Sequence, residues 1–371
     1  SRRAGLLVFA LVAAALCGGA LLLLDRHGDR DRWTATATGH APRAHSADPP
    51  APAPARSLVA RLPDDPRWLA PDSVFNALIP RDAPLDPASG GLVRRLAREA
   101  HRASTVNATR WSTPVYRVGP AQPTVRVQLD AGDAPDLQAA LERVPLPPDA
   151  RAAAGTDGDV VVVQESSDTA WELWRMRRDA GGGVHARWAG VVHPLSQHPG
   201  AFRDVPAPGG GWRERWFWGI TAAKLVKLGG LLTARELASG RIDHALAIAT
   251  PNPRARVFAA PAQGTDGDGP AADALPEGAR LRLDPALDLD ALHLPPLTLA
   301  LARAAQRYGL VVNNRTGSTV AFYAEDPKGL GFDPYPAIFR GTSPWQVAHA
   351  FPWDRLQVLK MSLRSSAAGV P

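Results

Sequence analysis

The stretch Gly219–Pro251 constrains the fold most, because several local signals of backbone geometry follow one another within it. Gly229 and Gly230 mark a turn, since paired glycines supply the backbone freedom that a chain reversal needs. Thr233 and Glu236 have the spacing of a capping box, with Thr233 as the N-cap residue and Glu236 reaching back to it. The stretch therefore predicts a turn followed at once by a short helix.

The end of the same stretch predicts a strand. Gly240 fits the position that stops the short helix, and residues 241–250 follow as the strand candidate. Successive side chains of a strand point to opposite faces, so we expect the neighbours Asp243 and His244 to lie apart. His244 would share its face with large apolar residues, which favours a hydrogen-bonded core histidine over a catalytic one. Asp243 would lie on a face of alanines that can form the floor of a groove.

The rest of the sequence favours sheets over helices. The chain has 371 residues, of which 36 are proline and 33 glycine, and its hydrophobic content of 45% is that of a globular protein. Strands are predicted at residues 114–118, 124–129, 160–164, 170–177, 184–192, 212–218 and 279–283, and the best helix at 296–308. We predict an all-β dominated fold, a jelly-roll-like β-sandwich with a few short helices.

The N-terminus has the pattern of an export signal. Arg2 and Arg3 precede an uncharged run, residues 4–24, and about 20 apolar residues suffice to cross a bilayer. The preceding positive charge predicts that the N-terminus stays inside and the remainder lies outside. A signal anchor is favoured and a cleaved signal peptide is the alternative. We expect an extracellular or cell-surface protein that contacts the membrane through residues 4–24. Cys17, the one cysteine, lies in this run, so no disulfide is expected beyond it.

Composition also predicts the domain organisation. Residues 25–65 are rich in Thr, Ala and Pro, cannot bury a core, and are expected to form an extended spacer. Residues 66–371 are expected to form a single extracellular domain. The formal net charge is +6, but acidic and basic residues are interspersed. Because no Lys/Arg-rich run with interleaved aromatic residues occurs, we do not expect nucleic acid as a partner.

Two predicted strands combine a carboxylate with tryptophan on one face. Glu172 and Trp174 share a face of the first, and Glu214, Trp216 and Trp218 share a face of the second. This combination suits sugar rings, since an indole stacks on C–H groups while a carboxylate accepts hydroxyl donors. The alternative is that these tryptophans belong to the core.

These residues define the functional prediction. Two carboxylates can also drive glycoside hydrolysis, one as acid and one as base or nucleophile. The catalytic candidates are Glu172, Glu214 and Asp243, and the ligand-binding candidates are Trp174, Trp216, Trp218 and His244. We predict a carbohydrate-active protein that binds or hydrolyses an extracellular polysaccharide in an aromatic and acidic groove. Whether it is an enzyme stays open, and the alternative is a non-catalytic cell-envelope protein with protein partners.

No cofactor is expected from the sequence. Asp266 and Asp268 lie in a glycine-rich loop and are weak candidates for binding Ca²⁺ through oxygen. The EF-hand pattern is not met, because no glutamate closes the loop, and a solvated turn is favoured. The sequence contains no Gly-x-Ser-x-Gly elbow, no P-loop and no His-Glu-x-x-His motif.

Several motifs together resemble a known group of proteins. They are GGLLT..EL..GRIDHALA at 229–247, PAQGTDG at 261–267, LPEGARLRLD at 275–284 and AAQRYG at 304–309. This combination resembles an uncharacterised family of secreted bacterial proteins found in actinobacteria and proteobacteria. The resemblance covers about residues 75–358 and implies an extracellular location, but it implies no reaction and no site residues. Gly264 and Thr265 depart from the pattern, where a basic residue or serine is expected before Asp-Gly.

Overall fold

A computed structural model of the chain describes residues 53–64, 67–131, 134–202 and 218–365. All of them belong to one compact unit, Pro50–Pro371. No helix within these ranges is long and apolar enough to cross a membrane. The apolar run 4–24 and most of the spacer lie outside the described residues, so the membrane anchor and the cell-surface location stay predictions.

Strands outnumber helices in the described part of the chain. The strands are β1 Ser104–Asn107, β2 Val115–Arg117, β3 Val127–Leu129, β4 Val160–Gln164, β5 Thr169–Trp174, β6 Arg177–Arg178, β7 Val184–Ala186, β8 Trp188–Val192, β9 Leu246–Thr250, β10 Val257–Ala259, β11 Arg280–Leu283, β12 Leu310–Arg315, β13 Val320–Tyr323, β14 Leu356–Val358 and β15 Leu363–Ser365. The helices are α1 Ala53–Val59, α2 Ser89–Arg102, α3 Pro135–Ala140, α4 Ala234–Ser239, α5 Pro296–Arg307, α6 Tyr335–Phe339 and α7 Pro344–His349.

The described strands form four sheets. The largest has six strands in the order β1-β13-β9-β12-β11-β14, and the second has four in the order β2-β4-β5-β8. A three-stranded sheet, β3-β7-β6, and the pair β10-β15 complete the set. The central strand β9 is buried along its whole length. Its sequence, LAIAT, has no polar face because both faces of the large sheet are covered.

The two larger sheets are covered on both sides. Leu246, Ile248 and Phe322 on one face of the six-stranded sheet pack in a cluster with residues of α2, α5 and α7. The opposite face packs through Ala247 and Ala249 against valines of β2 and β4, with residues 223–231 in the same cluster. The other face of the four-stranded sheet packs against the three-stranded sheet and α3. Burial of these apolar faces is the main stabilising term of such a layered fold.

The sheet-rich part of the fold prediction is confirmed, with most predicted strands and the helix at 296–307 in place. The jelly-roll-like β-sandwich is not confirmed. Four strand pairs run parallel, namely β1–β13, β9–β12, β2–β4 and β3–β7. Parallel neighbours need long crossover connections, whereas a jelly roll joins antiparallel strands, so the observed pairing departs from the expected one. The predicted strand at 212–218 lies almost entirely outside the described residues.

The fold also begins earlier than the predicted domain start at residue 66. The helix α1 and the turn after it occupy the end of the predicted spacer. Leu62 is 4% exposed and belongs to the core, with Leu58 partly buried against it. These two leucines supply the apolar surface that the Thr/Ala/Pro-rich part of the spacer lacks.

The glycine turn and the capping box are confirmed. A Cβ atom on Gly230 would lie 2.5 Å from the Cβ of Ala247, so glycine is needed for close approach to β9. The hydroxyl of Thr233 accepts from the N–H of Glu236 at 3.1 Å, and the Glu236 carboxylate accepts from the N–H of Thr233 at 3.0 Å. Gly240 ends α4 at a φ of 71°, in the left-handed region that favours glycine.

The strand after this helix is shorter than predicted, because it begins at Leu246 rather than at residue 241. Residues 241–245 form no ladder. The N–H of Ala245 instead donates to the carbonyl of Phe75 at 2.7 Å. Strand alternation therefore does not apply to Asp243 and His244.

Candidate functional site

A solvent-open cleft of about 310 Å³ lies beside α4 and the start of β9. One wall comes from the segment that leads into the fold, Asp64 and residues 67–76, and the other from residues 233–244. Leu228 and Gly229, from the glycine turn, also line it. The lining residues are Asp64, Arg67, Trp68, Leu69, Asn76, Leu228, Gly229, Thr233, Arg235, Glu236, Ser239, Arg241, Asp243 and His244.

Asp243 and His244 line this cleft together. The prediction that they face opposite sides of a strand was wrong, because the ladder starts only at Leu246. Asp243 accepts from the Nε atom of Arg241 at 2.6 Å, and its other oxygen lies 3.6 Å from a guanidinium nitrogen of Arg307. Its side chain is 28% exposed, so it remains open to a ligand.

His244 forms a close pair with Glu236. Its Nε2 atom lies 2.9 Å from Oε1 and 3.1 Å from Oε2 of that carboxylate, and its Nδ1 atom lies 2.8 Å from the carbonyl oxygen of Ala245. Both ring nitrogens thus face acceptors, whereas a neutral imidazole carries one proton. An imidazole that contacts a carboxylate can exchange a proton with a bound ligand, so the pair is a candidate for proton transfer at the cleft surface.

The capping box positions this pair. Glu236 is the third residue of α4, and its carboxylate is already fixed by the N–H of Thr233. The side chains of Glu236 and His244 are 13% and 14% exposed. The motif that starts the helix therefore also orients the histidine, which local helix rules alone do not indicate.

Two arginines donate hydrogen bonds to backbone carbonyls of the wall opposite Glu236 and His244. The guanidinium of Arg235 donates to the carbonyls of Val59 and Leu62, both at 2.9 Å, and lies 2.9 Å from the carboxylate of Asp64. Arg67 donates to the carbonyl of Asn76 at 2.7 Å. No carboxylate among the described residues forms a salt bridge with Arg67.

Aromatic surface in the cleft comes from Trp68, which is 9% exposed. The sequence interpretation missed both Arg67 and Trp68. They are far in sequence from 233–244, and the only signal near them was the predicted start of the domain.

Glu172 does not line the cleft. Its side chain is 0% exposed on β5, and its Oε1 atom accepts from the N–H of Lys227 at 2.6 Å. A polysaccharide in solvent cannot reach a carboxylate in this position. Trp174 packs against the cluster that contains Trp171 and Leu173, so the shared face predicted for Glu172 and Trp174 stays a prediction.

Glu172 belongs to a buried charged cluster with Lys227 and Asp159. The Nζ atom of Lys227 lies 2.9 Å from Oδ2 of Asp159 and 3.8 Å from the centre of the Tyr323 ring. Burial raises the pKa of Glu172 to about 8 and that of Asp159 to about 6. Burial lowers the pKa of Lys227, but attraction to Asp159 and Tyr323 and the hydrogen bond to Asp159 together outweigh it and raise the pKa overall. At neutral pH the cluster therefore holds a Lys227–Asp159 ion pair and a protonated Glu172.

The tryptophans of the predicted groove are not gathered at the cleft. Trp174 is partly buried, and the guanidinium of Arg175 lies 4.6 Å from its ring centre. Trp218 is partly buried against two core clusters. Glu214 and Trp216 lie outside the described residues. The ligand-binding roles of Trp174, Trp216 and Trp218 and the catalytic role of Glu214 stay predictions.

The glycine-rich loop does not fit a Ca²⁺ site. The carboxylate of Asp268 is bound by the guanidinium of Arg315, and the N–H of Asp266 donates to Glu277 at 3.1 Å. Burial raises the pKa of the Glu277 carboxyl well above its usual value, and nearby Asp266 adds to the shift. The described residues include no group of three or more His, Cys, Asp or Glu that could hold a metal ion.

Two groups of polar side chains have thus been described, one open to solvent and one buried. The cleft presents paired acids, a histidine and guanidiniums to solvent, whereas the Lys227 cluster is sealed between sheets. Comparison with models of protein families, with curated proteins and with solved structures finds no match. The function is therefore argued from the cleft itself.

Proposed function

We propose that this protein is carbohydrate-active and binds a saccharide in the cleft. The carrying observation is an open cavity of about 310 Å³ that combines an indole with carboxylates, guanidiniums and a histidine. Cavities of about 300–1,000 Å³ are the usual size for small ligands. The volume suits one or two sugar rings rather than a protein loop.

The side chains of the cleft match the groups of a sugar. Asp243 supplies acceptor oxygens for hydroxyl donors, while Arg67 and Arg241 supply donors for hydroxyl or ring oxygens. Trp68 offers apolar surface for C–H groups. Saccharide binding needs this mixture of directional hydrogen bonds and a small apolar surface.

The same residues supply the groups for hydrolysis. Glycoside hydrolysis usually needs one carboxyl group as acid and another as base or nucleophile. In this proposal Glu236, coupled to His244, handles the proton, and Asp243 is the second carboxylate. Glu236 replaces the predicted Glu172, which is buried. The proposal depends neither on the jelly-roll-like sandwich nor on Glu214, and both of these stay predictions.

A glycan array probed with the full-length chain tests binding, followed by calorimetry on each hit. We expect Asp243→Asn and His244→Ala to weaken binding of the same saccharide by about tenfold, as loss of one charged hydrogen bond does. The matched control is Asp290→Asn, since Asp290 lies on the surface away from the cleft in an exposed pair with Arg303.

Release of reducing sugar from each hit then separates a hydrolase from a lectin. Loss of release in Asp243→Asn, with binding kept in part, supports hydrolysis. No binding to any saccharide would remove the proposal and favour the alternative, a non-catalytic cell-envelope protein with protein partners. The burial of most of the surface of Trp68, Trp171, Trp188 and Trp353 is consistent with that alternative.

We also propose that the protein acts at the cell surface, as the apolar run 4–24 indicates. Membership of the secreted bacterial family is part of the same proposal and rests on the sequence motifs. Protease treatment of intact cells, with detection of residues 53–365 before and after, tests the location. Complete protection of these residues would contradict it.

A further inference from the structure

We propose a second binding site, separate from the cleft, which takes an acidic polysaccharide. It is the surface made by Arg110, Trp111, Trp174, Arg175 and Arg187, which we call the Arg–Trp surface. No such site is evident in the sequence, because its Arg–Trp neighbours are spread over nearly 80 residues. The fold brings them together around the loop of residues 155–158.

Direct contacts join the parts of this surface. The indole N–H of Trp111 donates to the hydroxyl of Thr156 at 3.2 Å. The next residue of the loop, Asp157, accepts at its carbonyl from the N–H of Arg175 at 2.8 Å. The carbonyl of Trp174 accepts in turn from the N–H of Arg187 at 2.8 Å. These contacts make the segments that carry Trp111, Arg175 and Arg187 direct neighbours in the fold.

Two residues of this surface have an unusual backbone geometry. Trp111 and Arg175 have φ values of 50° and 51°, in the left-handed region that residues with side chains rarely adopt. Gly155 beside them has no side chain, and a Cβ there would lie 2.6 Å from the Trp111 ring. The indole thus rests on the loop and is still 39% exposed. Strain of this kind is typical of ligand-binding positions.

The charges of the surface select an anion. The guanidiniums of Arg110 and Arg175 lie 4.4 Å and 4.6 Å from the ring centres of Trp111 and Trp174. Arg110, Arg175 and Arg187 are exposed, and none forms a salt bridge with another described residue. The partly buried Asp157 is the carboxylate of the loop, and its Oδ1 atom accepts from Thr156 at 3.3 Å.

The combination points to a sugar acid. A guanidinium binds a carboxylate through two parallel hydrogen bonds, and stacking on an indole holds its plane in place. Indole surface also accommodates the C–H groups of a sugar ring. A polymer of uronic acid residues offers both groups at regular spacing, which a single small anion does not.

Binding of the full-length chain to polygalacturonate tests the site, with fully methyl-esterified polygalacturonate as the uncharged polymer. Calorimetry should show binding to the acidic polymer alone, weakening as salt rises from about 50 to about 200 mM. The double variant Arg110→Ala/Arg175→Ala should lose about tenfold or more in affinity, since two charged hydrogen-bond donors are removed.

Two controls make the result specific. Arg98→Ala/Arg102→Ala removes the same charge from exposed positions of α2 and should leave affinity unchanged. Asp290→Asn, at a surface position outside both sites, should also leave affinity unchanged. Equal losses in both double variants, equal binding to the methyl ester, no binding at all, or tighter binding to single-stranded DNA of matched charge would each overturn the proposal.

Discussion

The Nζ atom of Lys227 lies 2.9 Å from Oδ2 of Asp159, and both side chains are almost completely buried. The same residue donates its backbone N–H to Glu172. Lys227 thus ties together the start of β4, the middle of β5 and the glycine turn that lines the cleft. Removing one member of a buried ion pair leaves an uncompensated charge, which makes this pair the most sensitive polar contact of the core.

Lys227→Met should therefore lower the free energy of unfolding by about 3–5 kcal/mol, because Asp159 loses its counter-ion inside the protein. Urea denaturation at pH 7.5 measures the change. The double variant Lys227→Met/Asp159→Leu removes both charges and should recover a large part of the loss. A double variant less stable than Lys227→Met would contradict this explanation.

Glu172 should make the protein less stable as pH rises. Its pKa is raised from 4.5 to about 8 in the folded state by burial, so between these values the folded state binds a proton that the unfolded state has lost. The contribution of Glu172 to the free energy of unfolding is then greatest below pH 4.5. It falls as pH rises toward 8, by up to about 1.4 kcal/mol per pH unit. Asp159, raised from 3.8 to about 6, acts in the same direction at lower pH.

The variant Glu172→Gln isolates this effect, because it stays neutral at every pH. Denaturation profiles at pH 6, 7 and 8 should show a slope for the natural protein that is absent in the variant. Parallel profiles in the two proteins would show that Glu172 is ionised when folded.

Variants of Thr233 and Glu236 distinguish the helix cap from the contact between Glu236 and His244. Thr233→Ala removes the N-cap oxygen and should cost about 1 kcal/mol of stability, while Glu236 remains next to His244. Glu236→Ala should cost at least as much and also release the ring of His244. The histidine ring signals in a nuclear magnetic resonance pH titration distinguish them, with Thr233→Ala leaving the His244 titration unchanged. Identical titrations in both variants would remove the proposed pairing of Glu236 with His244.

Gly230→Ala tests the close approach of the glycine turn to β9. The added Cβ would lie 2.5 Å from atoms of Ala247, so β9 or the turn must shift, and overpacking of this kind costs about 1–3 kcal/mol. Thermal and urea denaturation measure it. Gly317→Ala is the matched control, because nothing lies within 4 Å of a Cβ there. Equal stability of both variants would contradict the tight packing.

The sequence predicted those features that depend on neighbours along the chain. The glycine turn, the Thr233–Glu236 capping box and the stop at Gly240 are local, and each is found where the spacing indicates. Alternation also predicts a side of β5 for Glu172. The alternation of side chains along a strand does not show whether that side meets solvent, because burial depends on which other sheet packs against it.

The rest depends on contacts between distant segments. The pairing of β9 with β12 joins Leu246 to Leu310, and no local pattern encodes that partner or its parallel direction. The cleft likewise needs residues 67–76 beside α4, so Arg67 and Trp68 gave no signal of their own. The start of the ladder at Leu246 is set by Gly309, whose carbonyl accepts from Leu246, and this placed Asp243 and His244 together.

Arg235 joins the start of the fold to the cleft. Its guanidinium donates to the carbonyls of Val59 and Leu62, at the point where α1 ends and the chain turns into the core. The residue after it, Glu236, holds His244. Two consecutive residues of α4 therefore contact both segments, so the position of the chain entry and the position of the His244 ring both depend on this short helix.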